Sequence, residues 1–524
     1  MTSRRPLIIP SLTITAAIAL GLGLLPASAT ATTTSTVNAA FTPRLTYVTC
    51  PVDEDLPPRT RCAKLTVPLD WQTPTDGRTV EIAMRVTRPR RDAGRLGLTW
   101  NPGGPGGEAV PAHGGIYSLL PATIRDRFDL ISWDPRGVGK SQPKLQECTP
   151  VEVLPPATGP INWDAYWEEV AAKEGAAAAA CFAANPNAAP YLGTWQVIRD
   201  MDAMRAALGY SAWNFWGMSY GTRLGSAYAR TFPNKLRALI EDAALMSNES
   251  IARFGSTSAA GYYQPVPVYA SLVGKGQAYK IRAIEAYLED SEITIEETVV
   301  NRYVFQNALN ANFRDQSTYP DLRIFIKTLY DYVAAKGADS GGKGSAPESD
   351  MSHPDSDGDN LVPDPESDSF VPDPYSDSFI IKFVNCADMA DRPTPAVLAR
   401  MSKTHEESYG AAYAWSSVGR SAICLGLPSG YSPPSPPADT TIVLPNPPLF
   451  LLAIGDAATP WVWGRSLANT FAGSSTVTSV TTAHGLISSP SACVQKAAEE
   501  YLLTPRLPRP DIFCPYVPSK HAGS

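Results

Sequence analysis

A serine hydroxyl is a poor nucleophile at neutral pH unless a base stands within hydrogen-bond reach and a third group orients that base. One stretch of the chain suits such chemistry, the Gly-x-Ser-x-Gly pattern of Gly217-Met218-Ser219-Tyr220-Gly221. An apolar run from Trp213 precedes it, and Leu224, Ala227 and Tyr228 follow at helical spacing. Strand, tight turn and helix together are the setting in which such a serine projects from a sheet edge. Asp456 and His484 come later, giving the order Ser, Asp, His that hydrolases on parallel sheets use. Asp456 follows the apolar run 449–454 and His484 follows the alternating run 476–482. Both therefore belong at strand C-terminal ends, where open parallel sheets gather their ligands. Of the five histidines, His521 lies in the terminal tail, His353 in an acidic stretch and His405 in a polar helical stretch. His113 precedes the serine and could line the site. Ser219 is thus the expected nucleophile, His484 the base and Asp456 the orienting acid.

An acyl-transfer reaction also needs donors for the developing oxyanion. The backbone N–H of Tyr220 is one by position. The loop Asn101-Pro102-Gly103-Gly104-Pro105-Gly106-Gly107 supplies the second, assigned to Gly104. This loop lacks the Lys and Ser/Thr of a phosphate-binding loop, and its glycine spacing misses the dinucleotide pattern. No cofactor and no catalytic metal are expected.

The elements that must position these residues read as strands at 65–67, 80–84, 96–100, 128–133, 236–240, 449–454 and 476–482. Met201, Met204, Ala207 and Leu208 mark a helix stopped by Gly209. The runs 281–290, 296–309 and 322–335 have helical spacing, which predicts a helical cap over the sheet. The expected fold is α/β, a mainly parallel sheet flanked by helices with a helical cap insertion. The expected organisation is a signal peptide at 1–31, a leader at 32–44, a first core segment at 45–244, a cap at 245–385 and a second core segment at 386–524. Arg4 and Arg5, an apolar stretch to Leu25 and then Ala27-Ser28-Ala29 carry the signal-peptide reading, so a secreted, extracellular chain is expected.

The chain has 524 residues and a formal net charge of -7. Residues 339–379 hold eleven acidic residues and one Lys and include a tandem repeat, 362–370 and 371–379. The acidity belongs to this insert, which reads as a disordered, solvated loop, while the rest of the chain is close to neutral. Neither nucleic acid nor a membrane, once the signal is removed, is an expected partner. Asp355, Asp357, Asp359 and Glu366 fall at positions 1, 3, 5 and 12 of a calcium loop, but Asn360 replaces its turn glycine. Eight cysteines allow 105 pairings. Pairing of sequence neighbours, Cys50/Cys62, Cys148/Cys181, Cys386/Cys424 and Cys493/Cys514, closes the shortest loops and is the expectation in an oxidising compartment.

Taken together, Asn101 to Gly107, Asp134-Pro135-Arg136-Gly137-Val138-Gly139, Gly217 to Thr222, Asp456-x-x-Thr459-Pro460 and Ala483-His484-Gly485 resemble the secreted tripeptidyl aminopeptidases and proline iminopeptidase-like proteins of the α/β-hydrolase superfamily, with a TAP-like C-terminal part. The resemblance implies a serine exopeptidase that removes short peptides from free N-termini, and the same triad. A peptide or small acyl compound would be the substrate. This chain departs from the pattern in Glu241-Asp242, where members often carry Asp-Gly, and in Ala483, where a Gly commonly precedes the histidine. No substrate-binding residue is assigned; Glu241, Asp242 and Glu249 are weak candidates for holding an amine. Two alternatives stay open: an esterase or amidase acting on a small metabolite, and a non-catalytic surface or calcium-dependent binding protein that keeps the fold.

Overall fold

The structure, a computed structural model, describes residues 41–51, 56–89, 96–247, 250–295, 297–339, 379–436, 439–505 and 511–518. The signal-peptide reading, most of the leader and the calcium-loop residues Asp355, Asp357, Asp359 and Glu366 lie outside the described residues.

Twelve strands are present among them: β1 (Arg44–Val48), β2 (Thr60–Pro68), β3 (Thr79–Thr87), β4 (Leu96–Asn101), β5 (Phe128–Trp133), β6 (Trp213–Met218), β7 (Leu236–Asp242), β8 (Ile293–Ile295), β9 (Thr298–Val300), β10 (Leu449–Ala453), β11 (Ser475–Ser479) and β12 (Ile512–Cys514). Ten form one sheet in the order β1-β2-β3-β5-β4-β6-β7-β10-β11-β12. The first three pairings from the β1 edge are antiparallel, and all those from β5 to β12 are parallel. The fold is α/β as expected, with the parallel part buried on both faces. Strand β6 shows why: Trp213 and Phe215 enter one apolar layer, Trp216 and Met218 the other. Helices Thr194–Ala207 and Tyr220–Thr231 cover the first face and Ala492–Leu503 the second.

Over the C-terminal ends lies a helical layer with apolar cores of its own. Helices Pro265–Val273, Gln277–Leu288, Arg302–Phe313 and Tyr319–Asp339 share one, through Val266, Ile284, Leu309, Phe313 and Leu322. Trp163–Val170, Pro395–Tyr409 and Ala411–Ala422 share another, so helical packing continues past residue 385. The run 296–309 is not one helix. β-branched Thr298, Val299 and Val300 pair with β8 in a hairpin, and the helix starts after Asn301, whose Oδ1 accepts the N–H groups of Tyr303 and Val304 at 3.0 Å.

All four expected disulfides form: Cys50–Cys62, Cys148–Cys181, Cys386–Cys424 and Cys493–Cys514. Closing loops of this length stabilises a chain by roughly 2–4 kcal/mol each. The bond from Cys493 to Cys514 ties the edge strand β12 to the helix behind the sheet.

The Asp134-Pro135-Arg136 stretch turns out to be structural. Asp134 Oδ1 accepts the N–H groups of Ala109 and Val110 at 2.9 Å, fixing the exit of the glycine-rich loop. Arg136 grips Asp200 through two 2.7 Å hydrogen bonds and donates to the carbonyls of Pro68 and Leu69, with both charged side chains fully buried. Arg136→Ala would strand the Asp200 charge in the interior. It is expected to cost about 3–5 kcal/mol, read as a lowered urea midpoint.

Candidate active site

Ser219 stands between β6 and helix Tyr220–Thr231 with φ 56° and ψ -122°, a region that side-chain-bearing residues rarely occupy. Its surroundings hold it there. The Ser219 N–H donates to the Asp242 carbonyl at 3.0 Å, and the Ser219 carbonyl accepts from the Thr222 N–H and hydroxyl at 2.9 and 2.7 Å. The motif glycines permit the turn by size: a Cβ on Gly217 would fall 2.3 Å from the Gly221 carbonyl oxygen.

The glycine-rich loop follows β4 and presses on this elbow. Gly103 has φ 96°, and a side chain there would lie 2.7 Å from Ser219 Cβ and 3.1 Å from the Tyr220 nitrogen. Asn101 Oδ1 accepts the Gly103 N–H at 3.0 Å and so locks the loop in place. The Tyr220 N–H opens its helix, where no preceding turn can accept it, and it faces the same place as the loop. The loop touches the elbow through Gly103, with Gly104 next in line at φ 101°.

Asp456 and His484 meet as the spacing predicts. His484 Nδ1 lies 2.9 and 3.1 Å from the two Asp456 carboxylate oxygens. Asp456 is 1% exposed and also accepts the N–H groups of Ala458 and Thr459 at 2.8 and 3.0 Å and the Thr459 hydroxyl at 2.8 Å. A carboxylate so supplied with donors can only accept, which places the proton on Nδ1 and leaves Nε2 as a lone-pair base.

Two supports of the histidine are not legible from sequence pattern. The first is Asp242, at the end of β7. Its carboxylate oxygens accept the Leu486 N–H at 2.8 and 3.0 Å and the Trp216 indole N–H at 3.1 Å, while its carbonyl holds Ser219. The second is the helical layer. Between its helices, the Arg314 carbonyl accepts the His484 N–H at 3.0 Å. Tyr319 and Phe313 grip the Thr482 hydroxyl at 2.5 Å each, and Gln316 accepts the Thr481 hydroxyl at 3.1 Å. Only their distance in sequence hides these contacts.

Several expectations are corrected. His113 does not line the site: it is buried between Ser132 at 2.8 Å and Thr87 at 2.6 Å, and burial pushes it down to about 3. Glu241 and Asp242 are both fully buried and cannot meet a substrate amine. Glu241 points under Gly225, and burial drives its carboxyl well above the ordinary value. Ala243, next in the chain after Asp242, takes φ 53°. Glu249 lies outside the described residues.

The α/β-hydrolase family model matches residues 100–264, and a TAP-like protein model matches 409–514. The chain thus belongs to the α/β-hydrolases. Within them it carries the TAP-like C-terminal segment. It is 34% identical over 235 residues to the serine protease Hip1 of Mycobacterium tuberculosis, covering 43% of this chain and 45% of that protein. It is 35% identical over 201 residues to the tripeptidyl aminopeptidase of Streptomyces coelicolor, covering 37% and 36%. A longer match, 27% identical over 477 residues, links it to carboxylesterase B of M. tuberculosis, covering 87% and 86%. The matches to Hip1 and the tripeptidyl aminopeptidase thus span less than half of those relatives.

Burial pushes the Asp242 carboxyl up to about 7, against donors and His484 that pull it down. A group that binds its proton more tightly when folded stabilises at low pH and loses that contribution as pH rises. The stability of wild type relative to Asp242→Asn is therefore expected to fall between about pH 4 and pH 7 and to level off above. Urea midpoints across that range measure it.

Proposed function

We propose that this chain is a serine hydrolase acting as an exopeptidase, which frees short peptides from unblocked N-termini through an acyl-enzyme. The observation that carries the reading is the bidentate approach of His484 Nδ1 to a saturated, buried Asp456, in a loop that Asp242 ties to the Ser219 elbow. Ser219 Oγ attacks the scissile carbonyl while His484 Nε2 takes its proton. The oxyanion collects the N–H of Tyr220 and one from the Gly103-Gly104 loop. Collapse expels the amine, which receives the proton from His484, and water then repeats the sequence in reverse roles to release the acid.

The names of the tripeptidyl aminopeptidase and the serine protease Hip1 among the relatives favour peptide bonds. The length of the carboxylesterase B match keeps ester hydrolysis as the second reading. For a free N-terminus, the acid of the helical layer with a suitable position is Glu285. It accepts the Tyr413 hydroxyl at 2.7 Å, and Tyr413 packs with Tyr262 and Ala457, the neighbour of Asp456. Burial pushes Glu285 up to about 7, and a substrate ammonium would draw it back down. Export is also part of the proposal: four disulfides suit an oxidising, extracellular setting.

A fluorophosphonate probe is expected to label wild type at one site and leave Ser219→Ala unlabelled; equal labelling of both rejects the reading. Asp456→Asn is expected to lower kcat by about 10⁴, because the wrong imidazole tautomer forms. Tripeptidyl, N-acetyl-tripeptidyl and short-chain ester substrates compared side by side separate peptidase from esterase. A preference for the acetylated peptide or the ester would sink the exopeptidase claim.

A further inference from the structure

Next to the Asp456–His484 pair the helical layer presents a cationic side chain with no ion-pair partner among the described residues. Arg314 follows helix Arg302–Phe313, and its carbonyl is the one that holds the His484 backbone. The residue is half-buried, and among the described residues its guanidinium makes no ion pair and no side-chain hydrogen bond. Its Nε is enclosed without a partner. Arg314 lies within electrostatic range of Tyr262, Arg420 and Asp456, attracted by Asp456 and opposed by Arg420. Asp456 attracts it without bonding it, since the Asp456 oxygens are already held by Ala458, Thr459 and His484.

A second orphan stands beside it. Tyr262 is 2% exposed, and its hydroxyl, closed to solvent, has no hydrogen-bond partner, so a ligand reaches it only by displacing the side chains that cover it. Helix Ile251–Tyr263 reaches the Asp456 turn because residue 261 is glycine; a Cβ there would lie 2.2 Å from Pro460 Cγ. Arg420 lies over the Tyr262 ring, 4.9 Å from its centre, and donates to the Ala458 carbonyl at 2.9 Å. The Arg314 guanidinium and the Tyr262 hydroxyl are thus two donors without an acceptor, and Arg420, which has its own, adds positive charge behind them. Leaving such donors enclosed costs free energy unless a ligand completes them.

We propose that Arg314 and the Tyr262 hydroxyl receive a carboxylate of the substrate, either an acidic side chain beside the scissile bond or the free α-carboxylate of a short peptide. This rests on the serine-hydrolase reading and adds the substrate's charge to it. A planar guanidinium binds a carboxylate through two parallel hydrogen bonds, and a phenol adds a third. With Arg420 behind it, the pocket wall repels a basic side chain at the same place. Glu285, on the far side of Tyr413, gives the same aromatic wall the opposite sign, so a short peptide is read at two charged points.

The test measures how peptides slow fluorophosphonate labelling of Ser219, each variant being normalised to its own labelling without peptide. Ala-Ala-Glu-amide against Ala-Ala-Gln-amide probes a side-chain carboxylate, and Ala-Ala-Ala against Ala-Ala-Ala-amide probes the α-carboxylate. Wild type is expected to be protected by the charged member of at least one pair at a concentration about tenfold lower than by its neutral partner. Arg314→Gln is expected to abolish that preference and Tyr262→Phe to reduce it about threefold or more. If Arg314→Gln is not labelled, Arg314→Lys takes its place, with the preference expected to fall at least threefold. Equal protection by both members of both pairs in wild type, or a preference that survives the Arg314 variant used, overturns the carboxylate site. Failure of wild-type Ser219 to label overturns the hydrolase reading, which the peptide pairs do not touch.

Discussion

The Asp242 carboxylate and carbonyl together form the joint on which the rest of the site depends. One backbone atom of this residue holds the strained serine, and its side chain holds the loop that carries the histidine, so two catalytic elements from different strands share a single anchor. A buried acid is an expensive way to make that joint, and the raised affinity of Asp242 for its proton shows the cost. The return is geometry: Ser219 can occupy a disfavoured backbone region because neighbouring hydrogen bonds leave it no other. The strain of the elbow and the burial of Asp242 are therefore one arrangement seen from two strands.

Around this joint the sheet and the helical layer divide the work. The sheet supplies the serine, the glycine-rich loop, Asp456 and the ladder that spaces them. The helical layer supplies Arg314, Gln316 and Tyr319 to the histidine loop, and its helix Ile251–Tyr263 seals the Asp456 turn. The helical layer has an apolar core of its own, but Ile251, Phe383 and Val384 also pack into the core beneath the sheet, and hydrogen bonds between the two parts fall on the His484 loop. The proposed base and the proposed carboxylate site thus draw on the same set of helices.

Much of the frame was legible because it rests on local rules. The strand runs appear in the predicted places since alternation and flanking glycines act over a few residues, and neighbouring cysteines pair because short loops close easily. The pairing of Asp456 with His484 was suggested by their places after two strands. What escaped has a common cause. Thr298 to Val300 read as helix because their spacing fits a helical face, whereas β-branching and the Asn301 cap decide otherwise. Asp242 read as a possible amine holder because burial is invisible in a sequence. Arg314 and Tyr262 carried no motif at all; only the approach of three segments far apart in the chain gives them meaning. Asp134-Pro135-Arg136 carried only a family resemblance, and the three backbone hydrogen bonds of its acid make it a bracket for the glycine-rich loop.

The Arg314 carbonyl that accepts the His484 N–H carries a consequence for biogenesis. A core domain whose helical layer has not yet docked has its elbow and its Asp456, but the histidine lacks its outer braces. The loop that carries His484 therefore reaches the geometry described only when the insertion is packed over the sheet, so the proposed base depends on docking of a segment more than a hundred residues away in the chain.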